Sequence, residues 1–134
     1  MKKLLLIGTV CLSIAAVITL FSGCGEPQIR APKINISEES WDFGTVKIGS
    51  DVKHTIIIKN TGSDILTLYA YPSCPACMYL ELEQYSIPPK SETKLRIIKI
   101  VETQAGPYES SIIVDSNDPA QQQKKLTVKG IFIN

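Results

Sequence analysis

Val52-Lys53-His54-Thr55-Ile56-Ile57-Ile58-Lys59, closed by Asn60-Thr61-Gly62-Ser63-Asp64, decides the fold class of this chain. Val52, His54, Ile56 and Ile58 fall on one face of an extended segment, and Lys53, Thr55, Ile57 and Lys59 on the other. A period of two is the mark of a half-buried strand, because successive side chains of an extended backbone point to opposite sides. The residues that follow tolerate positive φ or bond their own backbone, so they predict a turn. A lone histidine on an apolar face predicts a hydrogen-bonded core residue rather than a metal ligand.

The same period recurs on both sides of this stretch. Ile34 and Ile36 alternate with Asn35 and Ser37, and Trp41 and Phe43 flank Asp42. Large aromatics usually supply core burial, so these two read as anchors rather than a stacking platform. Gly44 and Gly49 bracket Thr45 to Ile48 as turn-bounded extended chain. Ile65 to Tyr71 is β-branched and aromatic, and Tyr79 to Glu83 alternates weakly. Thr93 to Val101 is strand-like, but its apolar residues change parity from Leu95/Ile97 to Ile98/Ile100, which predicts a bulge or an exposed apolar position. Ile87-Pro88-Pro89-Lys90-Ser91 predicts a connector, since two prolines remove consecutive donors. Tyr108 to Asp115 and Lys124 to Ile133 are strands, separated by the turn signal Ser116-Asn117-Asp118-Pro119. Nothing after Lys33 repeats at a helical period. Seven or so short strands predict an all-β class and a single sandwich over 34–134.

Composition allows one ordinary domain: 134 residues, 44% hydrophobic and 20% charged. Met1-Lys2-Lys3 followed by an uncharged run from Leu4 to Phe21 is the layout of a secretory signal. An apolar run of about 18 residues also nearly spans a bilayer, so an uncleaved helix is the competing reading. Phe21-Ser22-Gly23-Cys24 closely resembles a bacterial lipoprotein signal. That resemblance implies cleavage after Gly23, thioether lipidation of Cys24, and membrane attachment through acyl chains. The expected organisation is a signal peptide at 1–23, lipidated Cys24 with an extended tether at 24–33, and the domain at 34–134. The protein would then sit in the bacterial cell envelope, facing the periplasm or cell exterior. Cys11 lies inside the signal and is assigned no role. Net charge is +1, and it becomes −1 without Lys2 and Lys3. A near-neutral chain with no basic run offers no footprint for nucleic acid.

Trp41-Asp42-Phe43-Gly44-Thr45-Val46, Gly49, His54, Asn60-Thr61-Gly62, Leu66, Ser73-Cys74, Ile87-Pro88-Pro89, Ser116-Asn117-Asp118-Pro119 and Val128-Lys129-Gly130 fall in a telling order. The ordered set, covering about Ile36 to Phe132, resembles a bacterial family of unknown function with one immunoglobulin-like domain. That family is itself similar to Hydin-like and major-sperm-protein domains. The resemblance implies a seven-stranded immunoglobulin-like sandwich on exported or lipid-anchored proteins, with no established activity. Members of that family often carry Ser-Cys-Gly-Cys, whereas this chain has Cys74-Pro75-Ala76-Cys77.

Cys74 and Cys77 are the one place where the sequence offers chemistry. Beyond a signal peptide the compartment is usually oxidising, which favours a local disulfide clasp. Thiol-disulfide exchange is the second reading, because Cys-Pro-x-Cys resembles the active-site motif of some thioredoxin-type enzymes. Against it, the chain lacks a βαβ context, and no Lys, Arg or His lies within ten residues of the pair. Soft-metal binding is the third, since Cys74, Cys77 and Met78 carry ligand types suited to Cu(I), and two thiolates are half a zinc site. No cofactor is expected: there is no Gly-rich phosphate loop, and one histidine is poor material for a catalytic triad. Glu38-Glu39 and Glu81/Glu83 read as solvent-facing. The non-enzymatic expectation is a binding or structural module, with strand addition at a sheet edge as the available mode of partnership.

Overall fold

The computed structural model describes residues 25 and 27–134; the segment expected as a signal, 1–23, and Cys24 lie outside them. The strands are β1 (Ile34–Ile36), β2 (Ser40–Lys47), β3 (His54–Asn60), β4 (Leu66–Pro72), β5 (Met78–Leu82), β6 (Ser86–Ile87), β7 (Glu92–Ile100), β8 (Gly106–Ser116) and β9 (Gln123–Ile133). No described residue is helical. Two sheets form the sandwich, one ordered β1-β3-β7-β5 and the other β2-β9-β8-β4-β6. Nine strands replace the expected seven because two short segments also find ladder partners. β1 pairs with β3, and β6 pairs Ser86 and Ile87 with Thr67 and Leu66 immediately before Pro88 ends the strand.

The period-two faces turn inward as the pattern requires. Ile56 and Ile58 of β3, Leu66 and Leu68 of β4, Leu95 and Ile97 of β7, Ile112 and Val114 of β8, and Leu126, Val128 and Phe132 of β9 fill the space between the sheets. Fully burying each of these side chains contributes roughly 1.5–3 kcal/mol against exposure. Trp41 and Phe43 pack against this core from β2, half-buried at the rim. Phe43, Tyr108 and Phe132 form a tilted aromatic cluster with centroids 5.3–5.8 Å apart. Gly130 lets Phe43 in: a Cβ there would lie 2.2 Å from the ring. The Tyr108 hydroxyl is buried without a hydrogen-bond partner of acceptable geometry, and burial pushes its phenol above the usual range.

Two irregularities account for departures from strict alternation. On β7, Tyr79 pairs with Lys99 and Leu80 with Ile97, so Ile98 is the extra residue and is turned outward. That is the bulge the parity change predicts. Gly44, read as the bracket before a separate segment, instead lies inside β2 at φ 73°, where the register against β9 slips between Asp42 and Thr45. A residue without a Cβ carries the left-handed backbone of that bulge at little cost. β2 runs parallel to β9, an arrangement that short-range periodicity does not reveal.

One pole of the sandwich is joined by a single side chain. Asn60, 1% exposed, accepts from the backbone N–H of Lys33 and Gly62 through Oδ1. Its Nδ2 donates to the carbonyls of Asp64 and Ile87. Beside it, Asp118 is 2% exposed and accepts from the Ile34 N–H at 2.9 Å. The residues expected as the end of a tether, Ala31 to Lys33, are fastened to the turn after β3: Ser63 N–H donates to Ala31 O and Thr61 N–H to Lys33 O, both at 2.9 Å. Gly62 permits this close approach, because a Cβ there would lie 2.3 Å from the Ala31 carbonyl oxygen. Asn60→Ala strands four backbone partners at a buried site, so it is expected to cost roughly 2–4 kcal/mol. A urea denaturation curve reads the loss as a lowered midpoint, and an unchanged midpoint would contradict the role given to Asn60.

Candidate functional site

Cys74 and Cys77 sit at the opposite pole, on the turn between the end of β4 and the start of β5. They form a disulfide with Cα atoms 5.3 Å apart. The turn is closed by Cys77 N–H donating to Cys74 O at 3.0 Å. Cys77 O in turn accepts from Val101 N–H at 2.7 Å, extending the β5–β7 ladder by one bond. Ser73 N–H donates to Ser111 O, so the turn is fixed to β8 as well. The bridge therefore spans the crossing from the five-stranded sheet to the four-stranded one. Both cysteines are half-buried, while Pro75 and Ala76 are exposed.

The three readings of this pair now separate. A helix N-terminus that would stabilise a Cys74 thiolate is replaced by a tight turn, leaving exchange without its usual means of activation. The thiolates required for soft-metal binding are engaged with each other. Met78, the suggested third ligand, is 1% exposed and belongs to the core. No group of three or more His, Cys, Asp or Glu among the described residues is arranged to hold a metal ion.

His54 belongs to a different feature. Its ring stacks on Trp41 with centroids 4.2 Å apart and planes 5° from parallel, and Nε2 lies 2.5 Å from Glu38 Oε1. His54 opens β3 of one sheet, Trp41 belongs to β2 of the other, and Glu38 lies on the link from β1 to β2. The three thus close one side of the sandwich. The hydrogen-bonded histidine expected from the sequence is present, though half-buried rather than central. Glu38, expected to face solvent, is half-buried in this pair, whereas Glu39 is exposed and held below the usual carboxylate range by its bond to Lys124. Glu81 and Glu83 do face solvent.

A group of residues that sequence reasoning did not single out lies on the outer face of the five-stranded sheet. Tyr69, Tyr71 and Tyr85 are 62%, 44% and 55% exposed, with Tyr69 and Tyr85 rings 5.7 Å apart. Tyr71 Oη donates to Asp115 Oδ2 at 3.0 Å. Assigning faces to Ile65–Tyr71 would have found it: Leu66 and Leu68 claim the core, which puts Tyr69 and Tyr71 outside.

The fold is similar to those of solved structures. A crystal structure of a Porphyromonas gingivalis protein of unknown function is similar over 76% of this chain, at 21% identity and a TM-score of 0.66. This chain spans about half the length of that protein, 47%. The seventh PapD-like (ASH) domain of human CEP192 is similar at 14% identity and a TM-score of 0.61, covering 85% of this chain and 96% of that one. The periplasmic chaperone SfaE follows at 12% identity and a TM-score of 0.56, covering 75% of this chain and 56% of that one. At these identities the likeness is one of fold. No curated protein matches the chain. A family model of the HYDIN/CFA65/VesB-like Ig-like domain matches residues 32–131, and the chain belongs to that family.

Proposed function

We propose that the protein is a bacterial lipoprotein, attached to a membrane through Cys24, whose domain is a non-enzymatic binding or structural module facing the periplasm or cell exterior. The observation that supports this reading is Phe21-Ser22-Gly23-Cys24 directly after the uncharged run from Leu4, and the fastening of Ala31–Ile34 to the Asn60 and Asp118 pole bears on which end would face the lipid. A lipidated Cys24 would bring that pole toward the membrane, with only a few residues of free tether between. β7 alone runs nine residues, roughly 30 Å, so the disulfide pole would stand well away from the lipid. Cys24→Ser is expected to leave the chain unprocessed or released from membranes, as read by mass and by fractionation. Normal processing and full membrane association in that variant would overturn the anchor.

Partner binding by strand addition has a specific edge available to it. β1, β5 and β6 are short, and Met78 at the start of β5 is fully buried. β2 is eight residues long, pairs only with β9, and has no fully buried residue. Ile48 N–H donates to Ile133 O, so Thr45, out of phase with it, turns its backbone groups to the open side, as does the N–H of Lys47, whose carbonyl accepts from Ser50 N–H. A strand laid there would also cover the half-exposed flanks of Trp41 and Phe43. Hydrogen exchange of the protein in its native membranes should then protect residues 40–47 relative to purified protein. Equal exchange in the two states would rule out this edge.

In this reading the Cys74–Cys77 bridge is a clasp that sets the sheet-to-sheet crossing. A loop this short gains only roughly 2 kcal/mol from cross-linking. Cys74→Ser/Cys77→Ser is accordingly expected to fold and to lose about 1–2 kcal/mol in chemical denaturation. A pair found cycling between thiol and disulfide in cells would favour exchange instead.

A further inference from the structure

Asp115 lies beside the exposed tyrosines, without an ion-pair partner among the described residues. It is the direct cross-strand neighbour of Tyr69 on β4 and of Gln123 on β9. Tyr71 Oη donates to one carboxylate oxygen at 3.0 Å, and Gln123 Nε2 to the other at 2.8 Å. Both donors are neutral, so they fix the carboxylate in place and leave its charge uncompensated. No Lys, Arg or His nitrogen lies within 4 Å of it among the described residues; Asp42, Asp64, Glu83, Glu102, Glu109 and Asp118 have none either, and what sets Asp115 apart is that neutral side chains hold both its oxygens beside an exposed aromatic ring. Lys125, beside Ile113 on the same face, makes no ion pair with it. The carboxylate also holds the Tyr71 phenol above its usual range by accepting its hydrogen.

Next to the carboxylate is a shallow cavity of about 270 Å³, lined by Thr67, Tyr69, Asp115, Ser116 and Asn117. Its polar floor is already set: Asn117 Oδ1 accepts from Thr67 N–H, and Nδ2 donates to Ile65 O. Tyr69 forms one wall with a largely exposed ring, backed by Tyr85. An aromatic face is negative and attracts a cation placed over it. A fixed carboxylate beside that face attracts the same cation and, by its planarity, favours a planar one. Charge and shape thus agree on the occupant.

We propose that the Tyr69–Asp115 cleft receives the guanidinium of an arginine side chain presented by a partner protein, stacked on Tyr69 and paired with the remaining lone pairs of Asp115. This site deepens the binding-module reading and rests on it, but depends on neither the Cys24 anchor nor the β2 edge, so their tests and this one fail separately.

The full chain in detergent micelles, labelled with 3-fluorotyrosine, can be titrated with N-acetyl-arginine amide and followed by fluorine resonance. The Tyr69 resonance should shift saturably, while the neutral isostere N-acetyl-citrulline amide should leave it unmoved. Asp115→Asn should weaken the arginine probe by roughly fivefold or more and bring the Tyr71 titration down toward the ordinary phenol range. Tyr69→Leu, read at Tyr85, should abolish the response. No saturable shift, or an equal response to citrulline, would overturn the proposal. So would a response to N-acetylglucosamine in place of arginine, which would mark a glycan platform.

Discussion

The buried amide of Asn60 is the constraint on which the rest of the fold depends. A sandwich holds its two sheets together chiefly by non-directional apolar contact, which tolerates sliding. Directional bonds must therefore set how the strand ends are joined. Asn60 ends β3 in one sheet, yet its Nδ2 reaches the carbonyl of Ile87, whose strand β6 belongs to the other. The same side chain holds Lys33 ahead of β1 and shapes the turn through Gly62 and Asp64. Its own backbone continues the pattern, donating to Ser91 O and accepting from Lys90 N–H. An amide is suited to this because it offers two donors and two acceptor lone pairs from one small group. Buried, each of those bonds is strengthened by the low local dielectric, and each would be costly to leave unmade.

The opposite pole is governed by a covalent bond instead. There β4 leaves one sheet and β5 enters the other within the few residues that hold Cys74 to Cys77. A short crossing has little space for a core of its own. The disulfide supplies the restraint that burial supplies elsewhere, and the Cys77–Val101 bond carries it into β7. A third join, the Glu38–His54–Trp41 stack, closes the side between β2 and β3 with a mixture of both kinds of force.

Much of this was legible in the sequence, and the boundary is physical. Alternation in Val52–Lys59 and Tyr108–Asp115 identifies strands and their inner faces because the pleat imposes that period directly. Even the bulge at Ile98 is visible, since an extra residue must shift parity. Topology is another matter: nothing local distinguishes a β2 parallel to β9 from an antiparallel one. Gly44 illustrates the ambiguity, for a glycine at positive φ serves a turn or a bulge equally well. Asn60 and Asp118 were legible only as turn formers. Their larger role depends on Ile87 and Ile34, 27 and 84 positions distant. The Tyr69–Asp115 cleft was hidden for the same reason, since its walls come from strands that become neighbours only after the sheet forms.

The two poles and the outer face are not interchangeable in what they permit. The Asn60 pole is committed: its donors and acceptors are paired, and the incoming chain already occupies the approach at Gly62. The disulfide pole is committed too, its thiols consumed by each other and its methionine by the core. The five-stranded sheet is less committed: β2 is a long edge strand there, and Asp115 carries a charge with no cation within 4 Å among the described residues. The exposed tyrosines and the carboxylate held beside them supply neither core burial nor a link between the sheets. That contrast, rather than any resemblance to a known site, is the ground on which the outer face is proposed as the binding surface of this domain.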